Sequence, residues 1–139
     1  MNEHEILFRG KRTDNGKWEC GDLLSPNEFN AIPHIVYIDY LNEYGDIGEI
    51  STPVIPETVG QFTGLTDKNG KRIFEGDIVK CVSDGEQAVI SWLKYFACFG
   101  LSFDGWCCGF DDYDDNLPSD FEVIGNIHDN PEILKTPSL

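Results

Sequence analysis

Short segments in which apolar and polar residues alternate are the main pattern along this chain. The segments are IPHIVYIDYL, DIVKCV, QAVISWL, YFACFGLSF and FEVIGNI, and residues that favour turns separate them. A period of two residues between turn signals is typical of β-strands. Helical periodicity is almost absent, although HDNPEILK near the end of the chain predicts a single helical turn after Asn130. The pattern therefore predicts a mainly β fold, with a small antiparallel barrel in the C-terminal half.

Two stretches of the sequence repeat one β-hairpin pattern. FRGKRTDNGKWECGDLL and FTGLTDKNGKRIFEGDIV share a phenylalanine, an isolated glycine, an Asn-Gly-Lys triplet and a later Gly-Asp pair. The Asn-Gly pairs predict type I′ turns, in which both central residues have positive φ. The isolated glycines, Gly10 and Gly64, predict a bulge or a close backbone approach. At the Gly-Asp pairs, which turn the chain into the next strand, the side chains of Asp22 and Asp77 are predicted to accept backbone N–H bonds.

The charge of the chain is strongly negative and unevenly distributed. Ten Lys and Arg residues stand against 25 Asp and Glu residues, which gives a formal net charge of −15. Most of the cations lie close to the two hairpins, and none lies between Lys17 and Lys68. Because affinity for a phosphate backbone comes from Lys and Arg, this charge disfavours nucleic acid as a partner. It favours a basic partner surface instead.

The expected location is the cytoplasm of a bacterial cell. No apolar run reaches the ~18 residues that a membrane span needs, and the start, MNEHEILFRGK, lacks the apolar core of a secretory signal. The cysteine count of five is odd, which favours reduced thiols over a disulfide framework.

Three motifs resemble the YopX-like proteins of bacteriophages and prophages: FRGK with Trp18 and Gly21, then TVGQFTGLTDKNGKRIFEGDIV, then VIGNIHDNPEIL. The resemblance implies a mainly β fold whose domains are similar to SH3-type barrels. Together with the repeat it predicts a β-hairpin unit with an extended connection over residues 1–58, and an SH3-like barrel unit with a C-terminal helical turn over residues 59–139. Whether these two units share one core stays open. The resemblance implies no established reaction, so no catalytic role transfers to residues of this chain.

No catalytic or cofactor-binding motif emerges from the sequence. The glycines of residues 60–76 lie between predicted strands, whereas a phosphate loop joins a strand to a helix. Candidate groups for catalysis in this stretch lack a recognisable nucleophile–base pattern, so we predict that the protein is not an enzyme and has no cofactor. These candidates are Thr63, Thr66, Asp67, Glu75 and Asp77.

Metal binding is not expected either. Cys107 and Cys108 are adjacent, whereas zinc ligands are usually two to four residues apart, and alternation in a strand places one of the two in the core and the other at the surface. The acidic run DDYDD at residues 111–115 lacks the spacing and the central glycine of a calcium loop, so it is interpreted as a solvated loop.

The sequence predicts a non-catalytic phage or prophage accessory protein that acts by protein–protein contact, with self-association as one form of that contact. Two alternatives stay open: mimicry of nucleic-acid charge toward a host protein, and binding of single-stranded nucleic acid through the basic hairpins. For the latter, Trp18 among cations is either a base-stacking platform or, as the charge favours, a hairpin anchor. The candidate interaction residues are Lys11, Arg12, Lys17, Trp18, Gln61, Lys71, Arg72 and Glu75.

Overall fold

The computed structural model describes residues 5–41, 43–110 and 120–135. The chain packs as two compact units, Met1–Phe62 and Thr63–Leu139. Strands dominate the described residues and pair in antiparallel fashion throughout, which confirms the predicted mainly β fold.

The first unit is an antiparallel sheet in which the first four strands lie beside their chain neighbours, while the fifth strand pairs with the first rather than with the fourth. Its strands lie in the order β4-β3-β2-β1-β5, and the unit ends within β5. A 3₁₀ turn at Pro56–Thr58 leads from β4 into β5. The strands are β1 (Phe8–Lys11), β2 (Trp18–Leu24), β3 (His34–Leu41), β4 (Ile47–Pro53) and β5 (Gly60–Thr66).

Alternation places the core of the first unit on one side of its sheet. Ile35 and Val54 are fully buried, and Thr52 is 4% exposed. Gly10 is needed beside Val54, because a Cβ added to Gly10 would lie 2.9 Å from the Val54 Cβ. This confirms the close approach predicted for the isolated glycine of the first hairpin.

The second unit continues from β5 through a short β6 into a five-stranded sheet of order β10-β9-β8-β7-β11. Its last element is the helical turn α1 (Glu132–Lys135), as predicted. Its core cluster is built from Ile73, Val79, Cys81, Ala88, Ile90, Leu101 and Phe121. The strands are β6 (Arg72–Phe74), β7 (Asp77–Cys81), β8 (Gln87–Leu93), β9 (Cys98–Phe103), β10 (Trp106–Gly109) and β11 (Phe121–Asn126).

The predicted strands differ from the structure in three places. β9 starts at Cys98 rather than at residue 95, because residues 94–97 form a turn in which Ala97 has a positive φ of 52°. β4 lies in the stretch predicted as an extended connection, and β10 was not predicted. Both strands contain glycine within a short run, which weakens the sequence signal for a strand.

The two repeated stretches do form β-hairpins, but the predicted turn type is wrong. Gly16 and Gly70 have φ of 71° and 79°, whereas Ala97 is the only non-glycine with positive φ among the described residues. A type I′ turn would also require positive φ at each asparagine. In the second hairpin, Gly70 N–H donates to Asp67 O, which fits a type I turn followed by a left-handed glycine.

The two Gly-Asp pairs have different structures. Asp77 is 1% exposed, and its Oδ2 accepts the Phe74 N–H at 2.7 Å where the chain turns from β6 into β7, as predicted. Asp22 instead lies within β2 and is exposed, so the predicted turn at the first Gly-Asp pair is wrong. At this point β2 pairs with β3, with Asp22 opposite Val36, so the chain here is extended rather than turned.

Candidate functional site

Trp18 in the first hairpin is half-buried and lies against two cations. The Arg9 guanidinium carbon is 4.6 Å from the centroid of the Trp18 ring, and the Lys11 Nζ is 5.8 Å from it. Cation–π contacts of this kind hold a ring and its cations together. They favour the hairpin-anchor interpretation of Trp18, because the cations that would attract phosphate lie against the ring itself.

Arg12 is engaged by acids of its own hairpin. Its Nε and Nη2 donate to the two carboxylate oxygens of Asp14 at 2.9 and 2.8 Å, and its Nη1 donates to Glu19 Oε1 at 3.3 Å. These bonds raise the pKa of Arg12, and the bond from Arg12 lowers the pKa of Asp14. Lys17 is exposed at the end of the same turn. The hairpin therefore offers less free positive charge than its sequence suggests.

The other candidate interaction residues are divided between the units. Gln61 is half-buried in β5 and belongs to the first unit, with the Trp18 hairpin. Lys71, Arg72 and Glu75 belong to the second unit, where the two cations are exposed and Glu75 is half-buried. A basic stripe formed jointly by the two hairpins stays a prediction.

Asp67, one of the groups considered for catalysis, is an organising residue of the second unit. It is 6% exposed, and its Oδ1 accepts the N–H groups of Asn69 and Lys71 at 2.8 and 2.9 Å. Its Oδ2 accepts the Val123 N–H of β11 at 3.0 Å. Burial alone would raise the pKa of Asp67, but these three N–H donors and the charge of Lys71 hold it below the ordinary value.

The cysteines and the acidic run were the other candidates for chemistry. All five cysteines are free thiols; Cys107 is exposed and Cys108 packs against the core, as alternation predicts. Over residues 5–41, 43–110 and 120–135, no three His, Cys, Asp or Glu side chains are grouped so that they could hold a metal ion. The predicted solvated loop at residues 111–115 lies outside the described residues.

The second unit exposes aromatic side chains in two pairs. Trp92 contacts Phe99 edge to face with centroids 5.1 Å apart, and Phe103 stacks on Trp106 at 4.2 Å. Trp92 lies directly opposite Phe99, and Phe103 directly opposite Trp106, so each pair follows from strand register. In the stacked pair, Phe103 and Trp106 each cover one side of the other ring.

The outer face of the β2–β3–β4 sheet in the first unit is apolar, exposed and acidic. Cross-strand register places Asp22 beside Val36, and Glu49 beside Ile38. Directly opposed residues share a face, and so do alternate residues of one strand. We call this surface the acidic sheet face, and it consists of Asp22, Leu24, Val36, Ile38, Ile47 and Glu49.

Exposure of the apolar members distinguishes this face from an ordinary protein surface. Ile38 is 68% exposed, Ile47 59% and Leu24 47%. Isolated exposed apolar side chains are common, whereas a contiguous group of them is typical of binding surfaces. A groove of about 510 Å³ lies on the face, open to solvent, and is lined by Gly21, Asp22, Val36, Tyr37, Ile38, Ile47 and Glu49.

The electrostatics of the face are one-sided. β2, β3 and β4 contain no Lys or Arg, and His34 is their only basic side chain. His34 lies directly opposite Leu24 on this face, and its Nδ1 is 2.9 Å from the carbonyl oxygen of Ile32. Asp22 and Glu49 are exposed carboxylates directly beside the apolar floor. The arrangement can therefore hold apolar side chains and attract cations at the same time.

Sequence reasoning did not find this face, although part of its signal is visible. The run HIVYIDYL of β3 carries apolar residues at consecutive positions, so both sides of the strand are apolar, as in a strand buried on two sides. The structure covers only the side of Ile35, which is fully buried, and leaves Ile38 exposed. What the sequence could not supply was the pairing of β3 with β4, since β4 itself was not predicted.

The fold and the site define a mainly β protein of two antiparallel units that carries an open acidic and apolar face. The chain belongs to the YopX family: the family model described as "YopX protein" matches residues 7–135, nearly the whole chain, which confirms the resemblance seen in the sequence. Among the described residues, no helix is both long enough and apolar enough to span a membrane.

A solved structure resembles nearly the whole chain. It is the crystal structure of protein EF1440 from Enterococcus faecalis, with a TM-score of 0.62 and 25% sequence identity, and the match covers 94% of this chain and 98% of that one. No protein with a curated description matches this chain significantly.

Proposed function

We propose that this YopX-family chain is a non-catalytic phage or prophage accessory protein that binds a basic protein partner in the bacterial cytoplasm. The observation that carries the proposal is the acidic sheet face, where exposed Ile38 and Ile47 lie beside the carboxylates of Asp22 and Glu49. Apolar side chains supply affinity when a partner covers them, at about 25 cal/mol per Å² of buried apolar area. The carboxylates and the net charge of −15 steer basic surfaces toward the face.

Two of the carboxylates that were candidates for catalysis have structural roles, and this supports the non-catalytic part of the proposal. Asp67 and Asp77 are buried and accept backbone N–H bonds, which is the work of residues that shape turns. A general acid or base must lie within hydrogen-bond reach of a substrate proton, whereas these two buried carboxylates accept backbone N–H bonds instead. Mimicry of nucleic-acid charge is a version of the same proposal, in which the basic partner is a host nucleic-acid-binding protein. Self-association is a separate alternative, because a second copy of the chain also carries a net charge of −15.

Partner capture tests the proposal directly. The tagged chain is incubated with bacterial lysate at about 0.05 M and about 0.5 M salt, and a captured protein is then purified and titrated against the chain. We expect a basic partner whose binding Ile38→Ser weakens roughly ten-fold, because the substitution removes exposed apolar surface from the face. Ile6→Ser is the matched control, since Ile6 is 63% exposed in the same unit but lies outside the face.

Two results would contradict this proposal. One is the absence of any captured protein that binds again in purified form at low salt. The other is a partner whose binding responds equally to Ile38→Ser and to Ile6→Ser.

Binding of single-stranded nucleic acid is the competing function, and we expect it to fail. The anisotropy of a labelled single-stranded oligonucleotide should stay flat when the chain is added at about 0.05 M salt, because Arg12 is bonded to Asp14 and Glu19. In the doubly substituted Asp14→Asn, Glu19→Gln chain, Arg12 loses both ion pairs. This variant is the comparison chain in which nucleic-acid binding would be easier to detect. A salt-dependent rise in anisotropy with the unaltered chain would restore nucleic acid as the partner.

A further inference from the structure

We propose that the acidic sheet face binds a protein segment that carries two cationic side chains about 12 Å apart, with an apolar side chain between them. This inference rests on the proposed function and specifies the chemistry of the partner. It follows from the positions that strand register gives to the two carboxylates and to the apolar residues of the face.

The two carboxylates lie on opposite sides of the central strand. Asp22 on β2 is directly opposite Val36, and Glu49 on β4 is directly opposite Ile38. Val36 and Ile38 are alternate residues of β3, so their side chains lie on the same face. The apolar centre of the face therefore has one carboxylate at each end of a diagonal.

The length of that diagonal follows from sheet geometry. β2 and β4 are separated by two strand spacings, or roughly 9.6 Å, and two residues along β3 add an offset of roughly 6.7 Å. Together these give about 12 Å between the two acidic positions. In an extended segment, residues i and i+4 are about 13 Å apart and share a face with residue i+2. A segment with cations at i and i+4 and an apolar residue at i+2 fits this diagonal.

A second copy of the chain is a poor occupant of the same face. Two copies joined face to face would bring Asp22 and Glu49 of each copy together, and β2, β3 and β4 carry no Lys or Arg to neutralise them. Like charges placed opposite each other in an interface disfavour association. A cationic segment relieves that repulsion and covers the apolar floor.

Short peptides that vary one property at a time test the inference on the full chain. The probe has the pattern Lys-Thr-Ile-Thr-Lys within a neutral, capped peptide. Two controls replace both lysines by glutamates or place the lysines next to each other. Backbone amide shifts of the ¹⁵N-labelled chain then report where each peptide binds, a method suited to weak complexes. We expect the probe to shift amides of β2, β3 and β4, and to bind roughly five-fold more tightly than the adjacent-lysine control.

Variants of the chain test whether Asp22 and Glu49 bind the lysines of the probe. Asp22→Asn and Glu49→Gln should each weaken probe binding about three-fold at low salt, with the difference shrinking at about 0.5 M salt. Glu57→Gln is the matched control, because Glu57 is an exposed acid of the same unit outside the face. Both acids of the face are exposed, so the variants should keep the amide spectrum of the folded chain.

Three outcomes would overturn the inference. They are equal binding of the lysine and glutamate peptides, shifts confined to other parts of the chain, and a concentration-dependent dimer that buries the face. A captured partner that depends on Ile38 but not on Asp22 or Glu49 would also overturn it, and would leave the proposed function intact. Failure to capture any partner would instead count against the proposed function.

Discussion

The Asp67→Ala variant is expected to lose about 3 kcal/mol of stability in the second unit, because the carboxylate is nearly buried and accepts three backbone N–H bonds. Two of these bonds shape the turn of the β5–β6 hairpin, and the third joins that turn to β11 through Val123. The Lys68 N–H donates to Phe121 O at the same junction. Loss of Asp67 therefore weakens a link between distant parts of the chain as well as a turn.

Chemical denaturation followed by tryptophan fluorescence measures this effect. Trp92 and Trp106 both lie in the second unit, so in a Trp18→Phe background the fluorescence reports on that unit. The matched control is Asp84→Ala, because Asp84 is exposed and its Oδ1 accepts the backbone N–H of Glu86 within its own turn. We expect that control to cost no more than about 1 kcal/mol. Similar losses for the two variants would show that the link to Val123 contributes little.

Asp67→Asn separates the contribution of the bond to β11 from the contribution of the bonds within the turn. Its amide keeps one oxygen for the N–H groups of Asn69 and Lys71 but presents an NH₂ group to the Val123 N–H. We therefore expect a loss of about 1.5 kcal/mol, roughly half of that caused by alanine. A loss equal to that of Asp67→Ala would show that the negative charge, rather than the number of acceptors, is what matters.

The same variant carries a prediction about pH. The folded chain holds the pKa of Asp67 below its ordinary value of 3.8, so the carboxylate stabilises the fold fully above that value. The contribution is lost as the pH falls through 3.8 toward the lower pKa of the folded state. The stability difference between the unaltered chain and Asp67→Asn should therefore stay constant above about pH 5 and narrow as the pH falls below 3.8. A difference that stays constant below pH 3.8 as well would contradict it.

The sequence predicted the two hairpins but not the residue that organises the second one. Asn-Gly and the flanking apolar residues are local signals, and the structure forms hairpins at both places. The repeat drew attention to Asp22 and Asp77, which occupy matching positions. Asp67 matches Thr13 in the first copy, so comparison of the copies gives it no weight. Its partner Val123 is 56 residues away, and no local pattern encodes that contact.

The sequence predicted an acidic chain with a basic partner, but it did not predict the acidic sheet face. The net charge and the absence of Lys and Arg between Lys17 and Lys68 are consistent with an acidic surface around β2, β3 and β4. The sequence placed the interaction residues at the basic hairpins instead, because charged and aromatic residues stand out there. Their contacts with Trp18, Asp14 and Glu19 depend on cross-strand geometry, which becomes visible only when the strands are paired.

Gly21→Ala is expected to destabilise the first unit by more than 3 kcal/mol, roughly as much as loss of a large core side chain. Gly21 lies in β2, beside β1, where it pairs with Phe8. A Cβ at this position would clash with the carbonyl oxygen of Val36 and lie 3.0 Å from its carbonyl carbon. Both atoms belong to the backbone of β3, so the clash can be relieved only if the two strands move apart. That movement would disrupt the sheet that carries the acidic sheet face.

Gly45→Ala distinguishes this close approach from backbone strain in the same unit. Gly45 has a positive φ of 82°, but a Cβ there would meet no atom within 4 Å. Alanine at Gly45 should therefore cost only the strain of a left-handed residue, about 1 kcal/mol. Stability is read from Trp18 fluorescence in a background carrying Trp92→Phe and Trp106→Phe, so that the signal reports the first unit alone. If Gly21→Ala lowers the stability of the first unit no more than Gly45→Ala does, the strands tolerate a side chain at Gly21. In that case the close β2–β3 pairing is not what positions Asp22 beside Val36.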